Sequence, residues 1–211
     1  FARVCVGGRV SMEIGIIGAL ITTVIGAIYG AISAYVGGVV DSVMMRIVEI
    51  ISSIPYMIVV IMLSLMLGSS GVGSVMLALC IVGWCPTARL VRGQVLQLVG
   101  SDYIVAARTL GVSDFKIIMR HMLPNTMSVI IVNLTFRIPN YIFSEAFLSY
   151  VGLGISAPDT SWGMLASAGK ETMFTEPYMM IFPALMIALT MLSFTLFGDG
   201  LRDALDPKLR R

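Results

Sequence analysis

The sequence predicts an all-α integral membrane protein, and three observations support this fold class. Hydrophobic residues make up 57% of the 211 residues and charged residues only 12%, whereas a soluble domain carries about 25% charged residues. The segments 14–36, 50–88 and 177–198 contain no charged residue. They also lack the alternating pattern of a membrane barrel strand. Because backbone groups within lipid must pair inside their own segment, we expect these segments to be helices.

Five transmembrane helices are expected, each close to the roughly 20 apolar residues that cross a bilayer. They lie at about residues 14–36, 48–67, 73–91, 126–147 and 177–198. The first of them carries Gly26, Gly30 and Ala34 at four-residue spacing. Small residues let two helix backbones approach closely, so these three are candidates for a helix–helix contact. Chance is the alternative in a chain with 21 glycines.

Basic residues are divided unevenly between the two sides of the predicted spans, and loops rich in Lys and Arg face the cytoplasm. We therefore expect segment 92–125 and the C-terminus in the cytoplasm, and segment 148–176 outside. The cytoplasmic side would hold Arg46, Arg89, Arg92, Arg108, Lys116, Arg120, Arg202, Lys208, Arg210 and Arg211, and the outer side Arg3, Arg9 and Lys170.

A polar segment between the third and fourth spans, residues 101–125, is expected to form a short helical hairpin. Ser101 or Asp102 can cap a first helix, and Gly111 can adopt the left-handed conformation that ends it. Pro124 is expected to end the second helix before the next span.

Small and apolar side chains give this hairpin two possible roles. Ala106, Ala107 and Gly111 allow another surface to approach the backbone. The expected apolar face comprises Phe115, Ile117, Ile118, Met119 and Met122. Such a helix can dock in the groove of a partner protein, or it can lie on anionic lipid at the membrane surface. The residue types alone favour neither role.

The hairpin resembles the loop signature of permease subunits of binding-protein-dependent ABC importers, which reads Glu-Ala-Ala, three residues, Gly, nine residues, Ile, one residue, Leu-Pro. Ala106-Ala107, Gly111 and Leu123-Pro124 stand at the matching spacings, with Val105 and His121 in place of Glu and Ile. The oligopeptide and dipeptide branch is similar in further places. These are Ala-Ala-Arg at 106–108, His-x-Leu-Pro-Asn at 121–125, Ser161-Trp162-Gly163, the N-terminal segment 1–12 and the tail 201–210.

The resemblance implies a single transmembrane permease domain over 1–211 with the type I ABC importer fold, in the plasma (inner) membrane. It also implies six spans, so that one span and an external segment are expected before Phe1. Segment 101–125 would be the coupling-helix hairpin, which contacts the ATP-binding subunit. The implied contact residues are Ala106, Ala107, Arg108, Gly111, Phe115, His121, Leu123 and Pro124.

The same resemblance implies that the chain moves oligopeptides or dipeptides and is not itself an enzyme. Its implied partners are ABC ATP-binding subunits, a second permease subunit, an extracellular substrate-binding protein and membrane lipid. An importer of nickel chelates or glutathione is the nearest alternative. An ion-coupled secondary transporter and a membrane scaffold that transports nothing are the others.

Several chemistries find no support in the residues. Gly163 to Lys170 departs from a Walker A loop, because five residues separate its glycines and Glu171 replaces Ser or Thr, so ATP hydrolysis is expected on separate subunits. A net charge of +2 does not favour nucleic-acid binding. The cysteines lack metal-ligand spacing and are expected to be small apolar residues. No cofactor or metal is expected.

A polar stripe in the fourth span is the candidate for the transport pathway. Asn133, Arg137 and Asn140 share one helix face, and an Arg at the bilayer centre costs about 2.5–3.5 kcal/mol on the insertion scale. Pathway lining, a contact with the partner permease and snorkelling all remain open for this stripe.

Three acidic or aromatic side chains complete the candidates. Glu145 is expected at the outer membrane interface, and Glu49 is expected to pair with Arg46. Trp162 either contributes to an outer cap or belt, or contacts a binding protein.

Overall fold

The computed structural model describes residues 2–68 and 71–205, and within these ranges the chain forms ten α-helices and one π-helical turn. The helices are α1 (Ala2–Val36), α2 (Gly38–Ser52), α3 (Tyr56–Leu67), α4 (Val72–Gly83), α5 (Cys85–Val99), α6 (Asp102–Thr109), α7 (Asp114–Ile117), α8 (Leu123–Tyr150), α9 (Trp162–Glu171) and α10 (Tyr178–Leu205), and the π-helical turn is Ile118–Met122. The tail residues Lys208, Arg210 and Arg211 lie outside the described residues.

Four helical stretches are long and apolar enough to cross a membrane, and they contain four of the predicted spans. They are Ala2–Val36, Val72–Val99, Asp114–Tyr150 and Tyr178–Leu205. The remaining predicted span, at 48–67, is not one straight helix. It covers the end of α2 and all of α3. These two helices meet at 79°, and they give a fifth span only when the bent pair counts as one. The bend precedes Pro55, because a residue before proline disfavours helical geometry.

The long helix α1 is the centre of the bundle, with its most extensive contacts to α5 and α8. A Cβ atom on Gly26 would lie 2.6 Å from the carbonyl oxygen of Trp84, and one on Gly30 would collide with the carbonyl of Ala88. Ala34 is also buried. Side chains this small allow the α1 and α5 backbones to touch, which is how helices associate in membranes.

Pro124 does not end a helix, contrary to the sequence-based expectation. The chain stays helical from Asp114 to Tyr150, and Pro124 lies in the first turn of α8, directly after the π-helical turn. A wider turn before a proline accommodates its missing N–H and its ring. The hairpin's second arm is therefore continuous with a membrane span.

Helix α10 lies on the outside of the bundle and is apolar on its exposed surface. Ile181, Phe182, Leu189, Leu196 and Phe197 are each at least half exposed. A helix that is apolar all round belongs in a hydrophobic environment, which agrees with its assignment as a membrane span.

Candidate functional site

The hairpin of α6 and α7 divides its side chains between an anchored face and a free face. Ile104, Ala107 and Ile117 are buried against α1 and α5. Leu110 and Phe115, by contrast, are 82% and 73% exposed. The predicted apolar face is therefore split: Ile117, Ile118 and Met122 pack inward, whereas Phe115 and Met119 face outward. The inward residues fix the hairpin to the bundle and leave the outward ones exposed.

The candidate coupling residues fall into three groups by exposure. Ala106, Arg108, Gly111, Phe115 and Pro124 are exposed, His121 and Leu123 are half-buried, and Ala107 is buried. Gly111 joins the two arms with φ of +75°, a left-handed conformation that disfavours side chains. Ser101, one of the two predicted caps of the first helix, makes no capping hydrogen bond through its side chain, and neither does Ser113 before α7.

The end of α1 ties the hairpin to the bundle through Tyr35. Its hydroxyl donates a hydrogen bond to Oδ1 of Asp114 at 2.5 Å. The guanidinium of Arg108 lies 5.0 Å from the centre of the Tyr35 ring, within the range of a cation–π contact. The hairpin is therefore tied directly to α1, the central helix. The sequence pattern did not single out Tyr35, because its partners lie more than 70 residues away.

A charge cluster next to this anchor joins α1, α2 and α5. Arg92 donates to both carboxylate oxygens of Asp41, at 2.6 and 2.5 Å, and Ser33 donates to the same carboxylate at 2.5 Å. Two parallel bonds from one guanidinium hold both groups in fixed geometry. By contrast, the predicted Arg46–Glu49 pair forms at 2.8 Å but is exposed.

A cleft of about 490 Å³ lies at the elbow of the hairpin. Its lining includes Gly111, Lys116, Arg120 and His121. The cleft is therefore basic, and it opens on the same part of the chain as the exposed Leu110 and Phe115.

A second cavity, of about 460 Å³, brings the three candidate pathway residues together. Asn133, Arg137 and Asn140 all line it from α8. Opposite them lie Ser52, Ile54, Pro55 and Tyr56 from the bend between α2 and α3, together with residues around the junction of α4 and α5. Sequence reasoning missed this opposite wall, although Pro55 was a signal of the helix break.

Arg137 is half-buried in this cavity and only partly satisfied. It donates a hydrogen bond to the carbonyl oxygen of Gly83, and its guanidinium lies 5.8 Å from the centre of the Tyr141 ring. Its Nε atom is buried without a hydrogen-bond partner among the described residues. Its neighbour Asn133 accepts from the hydroxyl of Thr87 at 3.3 Å.

The end of the bundle opposite the hairpin is closed by a buried polar cluster around Glu145. This carboxylate is fully buried and accepts hydrogen bonds from Ser11 at 3.1 Å and Ser149 at 2.8 Å. The Ser11 hydroxyl in turn accepts from the backbone N–H of Trp162 at 3.1 Å. The side chain of Glu145 is thus enclosed by protein, where hydroxyls from α1 and α8 satisfy it, and its position at the outer membrane interface stays a prediction.

Trp162 caps this end of the bundle and does not belong to an exposed aromatic belt. It is 5% exposed, and its indole N–H donates to the carbonyl of Val4 at 2.9 Å. The ring packs against α1 at Gly8, where a Cβ would lie 2.6 Å from it. Helix α9 is thereby fixed at the end of the bundle opposite the hairpin.

Residues 15–211 match the protein family described as binding-protein-dependent transport system inner membrane component. The chain is 48% identical over 212 residues to the dipeptide transport system permease protein DppC of Bacillus subtilis (strain 168), and 46% identical over 211 residues to the oligopeptide transport system permease protein OppC of the same strain. Both alignments cover 100% of this chain. They cover 66% and 69% of the two relatives, so the chain spans about two thirds of their length.

A solved structure of the MetNI methionine ABC transporter, described as inward facing, has a similar fold. One of its chains matches with a TM-score of 0.77 at 16% identity, over 98% of this chain and 97% of that one. Similarity at this level of identity concerns the fold, and it agrees with the predicted type I importer architecture.

Proposed function

Because the chain belongs to the family of binding-protein-dependent transport system inner membrane components, we propose that it is the membrane-spanning permease subunit of an ATP-driven ABC importer that moves peptides. The observation that carries this proposal is the identity of 48% and 46% to dipeptide and oligopeptide permeases, over the whole of this chain. In this proposal the chain is a multi-pass protein of the plasma (inner) membrane with a cytoplasmic C-terminus.

The energy for transport is proposed to come from separate ATP-binding subunits, which contact the hairpin 101–125. The exposed Leu110, Gly111 and Phe115 offer them a surface, while the buried Ile104 and Ile117 keep the hairpin attached to the bundle. A ligand shifts a conformational equilibrium only through different contacts in the two states. The rigid link from Asp114 to Tyr35 on α1 supports transmission of hairpin motion to the central helix.

The pathway is proposed to run along the cavity that contains Asn133, Arg137 and Asn140. A second permease subunit would complete this cavity, and an extracellular substrate-binding protein would deliver the cargo to the outer side. The cavity's polar lining among otherwise apolar helices supports this role, because polar groups at membrane depth are costly unless they serve a pathway or find partners.

Reconstitution of the importer with its partner subunits in proteoliposomes tests the proposal. Uptake of a labelled dipeptide or tripeptide should require both ATP on the cytoplasmic side and the binding protein. Uptake driven by an ion gradient without ATP would contradict it and favour a secondary transporter. Stronger competition by unlabelled glutathione or a nickel chelate than by peptide would contradict the peptide assignment alone.

Gly111→Trp tests the role of the hairpin within the same system. We expect peptide uptake to fall to background, because the bulky side chain blocks close approach of the ATP-binding subunit, while membrane insertion remains normal. Gly152→Trp is the matched control, since Gly152 also has positive φ and open space around it but lies in the outer segment. Normal uptake by Gly111→Trp, or equal loss in both variants, would refute the role assigned to the hairpin.

A further inference from the structure

The cavity beside α8 lies where one predicted membrane span is interrupted. Helix α2 gives way to α3 around Pro55, and the two helices meet at 79°. Pro55, at this interruption, lines the cavity together with Gly83. Non-helical backbone at membrane depth is tolerated where it lines a cavity, and transporters build substrate sites from interrupted helices. The geometry is therefore that of a binding site.

The positive charge of the residues that line this cavity indicates which kind of ligand it can bind. Arg89 and Arg137 line the cavity, and no Asp or Glu is among the described residues that do. The ion pairs of the described chain are Arg46–Glu49 and Arg92–Asp41, so no described carboxylate neutralises either cavity arginine. An unneutralised positive charge at this depth favours an anionic ligand.

The two arginines differ in their exposure to solvent. Arg89 is exposed and donates to the carbonyl of Val48 at 3.4 Å. Arg137 is half-buried, its Nε is enclosed by protein, and its Nη2 donates to the carbonyl of Gly83. A guanidinium carries five N–H donors in a planar fork that matches a carboxylate. Because less solvent screens the charge of Arg137, it attracts a carboxylate in the cavity more strongly than Arg89 does.

From these contacts we infer that Arg137 recognises the free C-terminal carboxylate of the cargo and so determines specificity within the pathway. This inference rests on the proposed function as a peptide importer. Asn133 and Asn140 lie one turn to either side of Arg137 on α8, where their amides can bond the peptide backbone. The cavity volume of about 460 Å³ falls within the roughly 300–1,000 Å³ of small-ligand sites.

The test compares uptake of labelled tri-alanine with uptake of its C-terminal amide by the reconstituted importer. The affinity of the binding protein for each peptide is measured separately, and uptake is measured with the binding protein saturated. Wild type should prefer the free acid by about tenfold or more, the factor that a charge-assisted hydrogen bond contributes. Arg137→Gln should bring the ratio of acid uptake to amide uptake down to about one.

Arg89→Gln is the matched control, because it removes the same charge from the same cavity but at an exposed position. This variant should still take up the free acid in preference to the amide. Equal uptake of acid and amide by wild type would overturn the inference without any variant. So would an Arg137→Gln variant that slows both peptides alike or keeps the preference. Absence of ATP-dependent uptake of either peptide by wild type would instead contradict the proposed function.

Discussion

Replacing Gly26 by alanine should force α1 and α5 apart. The new Cβ atom would lie 2.6 Å from the carbonyl oxygen of Trp84 and 2.7 Å from the Cβ of Thr87. Both atoms are fixed by the backbone, so no change of rotamer relieves the contact. Moving the Cβ to ordinary contact at 3.4 Å would open the seam between the helices by about 0.8 Å.

The stability lost follows from that separation. A radial gap of roughly 0.5–1 Å removes a quarter to a half of the attractive energy of each van der Waals contact. Overpacking a close contact costs about 1–3 kcal/mol. Alanine recovers up to about 1 kcal/mol through its higher helix propensity. We therefore expect Gly26→Ala to lower the free energy of unfolding by about 1–2 kcal/mol.

Reversible unfolding of the purified protein by detergent titration measures this change. Gly93→Ala is the matched control, because Gly93 lies within α5, and a Cβ placed on it would have no atom of another described helix within 4 Å. That variant should be as stable as wild type or slightly more so. Equal stability of the two variants would refute the idea that close backbone approach holds α1 against α5.

Further predictions concern the two polar clusters. Ser11→Ala should lower the free energy of unfolding by about 1–3 kcal/mol, because it leaves the Trp162 N–H buried without an acceptor, and faster protease cleavage near α9 would report it. Asp41→Asn should reduce thermal stability more than Glu49→Gln, since exposed pairs contribute at most about 1 kcal/mol. Equal melting temperatures for the last two variants would contradict the importance of the Asp41–Arg92 pair.

The fold class and the family were predictable because their signals are local. Charge-free apolar segments long enough to cross a bilayer identify helices without knowledge of their neighbours. The loop signature around Gly111 lies within a single stretch of sequence, and the family match over 15–211 confirms the resemblance. The bend near Pro55 also had a local signal, but the apolar segment around it reads as one continuous span.

Long-range partners were the part that sequence reasoning could not supply. Glu145 accepts a hydrogen bond from Ser11, which lies 134 positions away in the sequence. From the sequence, only the position of Glu145 along α8 was known, and that position favoured the membrane interface. The burial of Ile117 follows from packing against α1 and α5, which an amphipathic pattern does not distinguish from a docking face. The three polar residues of α8 share a face by spacing, but the opposite wall of their cavity depends on how α2 and α3 bend.

Crosslinking from the hairpin in the assembled importer tests the central claim most directly. In a Cys5→Ser background, which removes the exposed cysteine, a photoreactive group attached at Phe115→Cys should capture the ATP-binding subunit. The same group at Phe174→Cys, which is 99% exposed in the outer segment, should not. Capture of lipid alone from Phe115→Cys, in a complex that hydrolyses ATP and takes up peptide, would contradict the account.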